Sequence, residues 1–87
     1  MKLGKYTIKD ALMETYHQDY TLENDALAIR QFADMANEDT QIAKNPNDYS
    51  LWRIGEFENT TAELIPQDPQ CLAKAHEHVI IDIETKK

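Results

Sequence analysis

The run NDALAIRQFADMAN, Asn24 to Asn37, constrains this chain most, because its apolar spacing suits a helix and nothing else. Ile29, Phe32, Ala33 and Ala36 recur at i, i+3, i+4 and i+7 and make one apolar stripe. Asn24 stands where its side-chain oxygen can accept from an unpaired N–H of the first turn. Asp25 follows, where the helix dipole favours a negative charge. Arg30 and Asp34, four apart, lie off the stripe and suit a weak pair. A helix with a single apolar stripe has to be laid across something, and its flanks read as strands.

Residues 2–9, KLGKYTIK, alternate, with Tyr6 and Ile8 on one side and Lys5, Thr7 and Lys9 on the other. A second short extended piece is expected over Met13–His17, although no Asn-Gly type turn joins the two. After the helix, Asn45-Pro46-Asn47-Asp48 reads as a turn, since Pro46 fixes its own φ and pushes Asn45 out of the helical region. LWRIGEFENTTAELIP then reads as a hairpin turning at Asn59-Thr60. Trp52, Ile54 and Glu56 are placed on one face of its first strand, and Leu51, Arg53, Gly55 and Phe57 on the other. Ile54 and either Trp52 or Phe57 are expected inward, with Ala62–Ile65 returning until Pro66 stops the strand.

Asp68-Pro69 has the form of a cap and first helical residue, so a last helix is expected with Leu72, Ala75, His76 and Val79 as its stripe. The tail reads equally as more helix or as a final strand over Val79–Ile83, with 80–87 flexible or a short strand. The expected fold class is therefore α+β. It has a small antiparallel sheet of about four strands in the order β-β-α-β-β-α, one main helix across it and a C-terminal helix.

Eighty-seven residues suit one domain, 1–87, with a thin core, for which a homodimer is a reasonable way to bury more surface. No apolar run approaches a membrane span and MKLGKYTIKD has no secretory h-region, so no membrane partner is expected. The one cysteine, Cys71, leaves no intramolecular disulfide and favours a reducing intracellular setting. The net charge of −7 argues against a generic grip on DNA. Its distribution is uneven: residues 1–9 hold Lys2, Lys5 and Lys9 and no acid, whereas Asp10 to Asp39 hold eight acids and one base, Arg30.

Chemistry is sparse. His76 and His78 flank Glu77, but a zinc site needs three or four convergent ligands, and Cys71 with His17 is a poor remainder, so neither metal nor cofactor is expected. Cys71 in the first turn of a helix would have a lowered pKa but no oriented histidine partner. Two glycines, Gly4 and Gly55, cannot make a phosphate loop. The chain is not expected to be an enzyme, and binding remains. Single-strand binders combine aromatic platforms with cations along a groove. Tyr6 and Trp52 are candidate platforms, Lys5, Lys9 and Arg53 candidate cations, and Arg30 and Lys44 auxiliary contacts. Tyr6 and Lys5 share a strand but not a face, so these residues do not all serve one surface.

The segments YTIKDA, NDALAIRQFADM, KNPNDYSLWRIGEFE and LIPQDP, in this order, resemble the small nonstructural proteins of gokushoviruses, microviruses with circular single-stranded DNA genomes. The likeness runs over residues 3–79; AIR…F, K-x-P-x-D-Y and the strand ending IGEF are its specific parts, and several members have a histidine where this chain has Asn45. The resemblance implies a counterpart of the C protein of phiX-type microviruses, assisting the switch from double-stranded replicative form to single-stranded genomes. It implies no catalytic activity, the host bacterial cytoplasm as location, and single-stranded DNA, the replication initiator or the procapsid as partners. The alternative from the charge pattern is an acidic interaction module, a DNA mimic or adaptor acting on the initiator, the procapsid or a host factor.

Overall fold

The computed structural model describes residues 1–78. In chain order it contains β1 (Lys2–Asp10), β2 (Thr15–Tyr16), β3 (Tyr20–Leu22), α1 (Asp25–Glu38), α2 (Thr40–Lys44), β4 (Tyr49–Glu58) and β5 (Glu63–Lys74). Single 3-10 turns cover Pro46–Asp48 and Ala75–Glu77. The fold is α+β: one antiparallel curled sheet with a main helix across it. Strand β1 is central, with β4 on one side and both β2 and β3 on the other, and β5 lies outside β4.

Asn24 caps α1 as its sequence requires, its side-chain oxygen accepting from the Leu27 N–H at 2.9 Å. The helix buries Ala28, Phe32 and Ala36, with Ile29 and Met35 half-buried beside them. This stripe is turned slightly from the expected one, toward Ala28 and away from Ala33. It packs on Tyr6, Ile8, Tyr49, Leu51 and Ala73 of the sheet. Asp39 closes α1 and opens α2, accepting from Gln41 and Ile42 N–H at 2.9 and 3.1 Å. The turn after β1 is organised by a buried side chain rather than by glycine. Asp10 Oδ1 accepts from the N–H groups of Leu12 and Met13 at 3.0 and 3.2 Å.

Beyond β3 and α2, which the sequence reading does not contain, two features depart furthest from it. Pro66 does not end the return strand and Asp68-Pro69 does not start a helix; β5 continues through both prolines to Lys74. The reason is position. Among the described strands β5 pairs only with β4, so a missing N–H can face away from the ladder. Pro69 also falls in a bulge where Gln67, Asp68 and Pro69 stand opposite the single residue Ile54. Cys71 is therefore a strand residue opposite Trp52, with no helix dipole on its thiol. The expected continuation over Val79–Ile83 lies outside the described residues.

The second difference is a bulge in β4. Tyr6 pairs with Arg53 and Lys5 with Gly55, leaving Ile54 extra. Beyond it the side-chain alternation is reset. Glu56 stands on the side of Arg53, whose Nη2 donates to Glu56 Oε2 at 2.9 Å, not on that of Trp52. Leu51 is the inward residue of the hairpin, fully buried, while Trp52, Ile54 and Phe57 are all half-buried and outside the core cluster.

The N-terminal end of α1 is fastened by polar contacts. The fully buried Tyr6 lies over Gly4, where a Cβ would strike its ring and hydroxyl, and donates to Asp25 Oδ1 at 2.7 Å. Arg53 Nη1 also donates to Asp25, and its Nε donates to Gln67 Oε1 at 3.0 Å. Burial pushes the Asp25 carboxyl up, but the hydrogen bonds from Tyr6 and Arg53 and the Arg53 charge outweigh this, leaving it below its ordinary value of 3.8.

A carboxyl depressed on folding stabilises above its unfolded pKa and loses that contribution as pH falls through its folded pKa. Asp25→Asn should therefore flatten the acid limb of stability below about pH 4, measured as urea midpoints between about pH 3 and about pH 7. An unchanged acid limb would show that the clamp does not titrate with Asp25. Gly55 allows the close approach of β5: a Cβ there would sit 2.5 Å from the Ile65 carbonyl oxygen. Gly55→Ala should lower the unfolding free energy by about 1–3 kcal/mol, read from a urea curve with unchanged m.

Candidate nucleic-acid interface

Cross-strand pairing sorts the residues proposed from the sequence. Partners in register share a face of the sheet. Thr7, Trp52 and Cys71 form one row across β1, β4 and β5, and Lys9, Ser50 and Lys74 form the next. Both rows lie on the face opposite α1, since Tyr6, Ile8 and Leu51, which alternate with them, meet the helix. Tyr16, paired with Lys9 across the β1–β2 turn, joins the same face.

The result is a compact aromatic and cationic group. The Lys9 ammonium stands 5.6 Å from the ring centroids of both Tyr16 and Trp52. The two rings meet edge to face, 6.1 Å between centroids and 88° between planes. Each cation–π contact is worth about 0.5–1 kcal/mol at such a partly exposed site. Trp52 is fixed in turn by its indole N–H, which donates to Ser50 Oγ at 2.8 Å. Beside it opens a cleft of about 260 Å³ whose lining includes Lys9, Ser50, Trp52, Cys71, Lys74 and His76. Tyr16 remains 46% exposed. A flat ring held by a hydrogen bond, with two lysines in the adjacent row, can stack a planar base and meet its phosphate.

The structure brings together only Lys9 and Trp52 of the residues singled out from sequence. Lys5 is on the same face but engaged, paired with Asp19 at 2.7 Å and donating to Thr21 Oγ1 at 3.1 Å. That contact holds the Asp19 carboxyl below its usual range. Arg53 points to the opposite side and is committed to Asp25, Glu56 and Gln67. Its guanidinium is partly desolvated there, but the Asp25 hydrogen bond and charge dominate and raise its pKa further. Arg30 is exposed on α1 and Lys44 at the end of α2, both apart from the cluster. Tyr6 is fully buried and is no platform.

Three residues of the group went unrecognised. Tyr16 lies within the extended piece expected over Met13–His17, but its alignment with Lys9 depends on the turn that Asp10 organises. Lys74 is hidden because β5 carries a helix-start signature, with strand alternation over Cys71–Lys74 as the signal available. His76, which reads as part of a helix stripe, stands in the 3-10 turn that follows. Among the described residues no group of three or more His, Cys, Asp or Glu side chains converges on a metal position. No helix among them is long and apolar enough to cross a membrane.

No curated protein and no solved structure matches the chain. A family described as Phage ORF5 protein matches over residues 3–78, which takes in the α1 helix, the β4–β5 hairpin and every residue of the cluster. The chain belongs to the Phage ORF5 protein family.

Proposed function

We propose that this phage protein is a non-enzymatic accessory of viral DNA replication that holds single-stranded DNA at the Lys9–Tyr16–Trp52 group. The observation that carries this reading is the group itself: two rings and a lysine on an open sheet face, with Lys74 in the adjacent row. Its likeness to the small nonstructural proteins of gokushoviruses supports a place in the switch to single-stranded genome synthesis and packaging, in the host bacterial cytoplasm. There it would be a counterpart of the microvirus C protein. Duplex DNA suits the site less, because stacking on Trp52 needs an unpaired base.

A second reading draws on the acidic run between Asp10 and Asp39. Of the eight acids between Asp10 and Asp39, six are exposed: Glu14, Asp19, Glu23, Asp34, Glu38 and Asp39. An acidic surface of this kind suits a basic protein, and the replication initiator, the procapsid or a host factor is the partner class it implies.

A titration with an oligothymidine strand, followed by Trp52 fluorescence, separates the two. Saturable quenching that weakens as salt rises is expected, with a log–log slope of about −0.7 per phosphate neutralised. Tyr16→Ala should weaken binding by about 1–3 kcal/mol and Lys9→Ala should reduce the salt slope. Absence of quenching at low salt, together with salt-dependent binding to a basic protein, would replace the first reading by the second.

A further inference from the structure

The bulge at Ile54 divides the sheet into two halves of opposite polarity. On the half nearer the core, the side facing α1 is apolar, with Tyr6, Ile8, Leu51 and Ala73. On the half beyond the bulge, that same side carries Lys2, Glu56, Glu58 and Glu63, with Ile65 as its one large apolar residue. The opposite side there carries one cross-strand row of apolar residues, Leu3 on β1, Phe57 on β4 and Leu64 on β5. None of the three belongs to the core cluster, and Leu64 is 64% exposed. Next to this row lies an open groove of about 370 Å³ lined largely by apolar groups, among them Ile54, Leu64, Ile65 and Pro66. An amphipathic sheet end whose apolar side points away from its own core is built to be covered by something else.

We propose that this distal face is a self-association surface, covered by the same face of a second copy of the chain about a two-fold axis. The charges at its rim choose the occupant. The Met1 ammonium is paired with Glu58, Arg53 with Glu56 and Lys5 with Asp19. The two charged residues that line the groove, Lys5 and Glu56, are both among these pairs, so the patch offers little free cation to nucleic acid and little free acid to a basic protein. It is a neutral apolar strip on a chain of net charge −7, so it is the place where two copies can meet with least repulsion.

The alternative of joining copies edge to edge is closed off. The β5 edge carries Pro66, Pro69 and a three-residue bulge, and β2 and β3 are only two and three residues long. Face-to-face packing remains, with the exposed Leu64 of each copy seated in the groove of the other. The Lys9–Tyr16–Trp52 group lies beyond the bulge from this strip, so pairing does not require it.

Sedimentation equilibrium of the full chain over a wide concentration range tests the proposal. The wild type is expected to shift from 10.1 kDa toward twice that mass as concentration rises. Leu64→Asp, at an exposed position where folding should tolerate it, is expected to weaken the dimer by roughly thirtyfold or more. Circular dichroism should show the variant folded, and Arg30→Ala, on the helix side, should leave the dimer unchanged. A wild type that is monomeric at every concentration overturns the proposal, as does a dimer indifferent to both Leu64→Asp and Phe57→Asp. Because the readout is mass in the absence of DNA, either result stands apart from the outcome of the oligothymidine titration.

Discussion

One extra residue, Ile54, governs how this sheet is used. In a regular ladder the side-chain period of two would keep every alternate residue of β4 on the helix side from Tyr49 to Phe57. The bulge resets that period, so Phe57 leaves the side it would share with Leu51 and Glu56 takes its place. Glu56 can then reach Arg53, and the apolar strip of the hairpin comes to face away from α1. The bulge also gives Gly55 its role. Bulges sharpen strand twist, and here the following residue runs against the backbone of Ile65, where a side chain has no room.

The polar clamp at the start of α1 depends on the same arrangement. Arg53 sits immediately before the bulge on the inner side, opposite Tyr6, and reaches Asp25 in the first turn of the helix. Tyr6 brings a second hydrogen bond to the same carboxylate, which is possible because Gly4 leaves the strand surface bare beneath its ring. Burial and the Asp25 hydrogen bond raise the Tyr6 hydroxyl pKa well above its ordinary value, so it stays a donor throughout the physiological range. An arginine with four side-chain partners, Asp25, Glu56, Gln67 and Tyr6, fixes the crossing of helix and sheet, and for that reason is not free as a surface cation.

How far the sequence foretold this follows from where each signal resides. Helix α1 was legible from Asn24 to its apolar stripe because capping and amphipathic spacing are local. β1 and the first strand of the hairpin were legible for the same reason. The course of β5 was not. Asp68-Pro69 is a sound helix-start signature, and what overrides it is pairing along the whole length of the neighbouring β4 and the freedom of an edge. The faces of β4 were misassigned beyond Ile54 because a bulge leaves no mark in a hydrophobic pattern other than a nearby glycine. Lys9 and Trp52 were named for their chemistry, and their meeting is decided by register between β1 and β4. Tyr16 and Lys74 joined them through pairings that no short window contains.

The exposed acids of the helix layer and the two lysines of the cluster stand on opposite sides of the sheet, and this separation matters beside the net charge. The exposed acids Asp34, Glu38 and Asp39 belong to the helix layer, while Lys9 and Lys74 stand on the far face. A helix layer and a sheet together separate these groups by roughly 10 Å or more, which exceeds the screening length of about 8 Å at physiological salt. The cluster therefore responds to its own neighbours and only weakly to the total of −7. At low salt the screening length grows and the helix acids begin to oppose an approaching strand. Attraction at the cluster and repulsion from the body would then rise together as salt is removed. Binding of the proposed kind would still weaken with salt, but with a shallower slope than its phosphate contacts alone give, and stacking on Trp52 would carry the larger share. The single-strand reading proposed above would require the rings to be fixed beforehand, as the Ser50 hydrogen bond and the Lys9 ammonium fix them here.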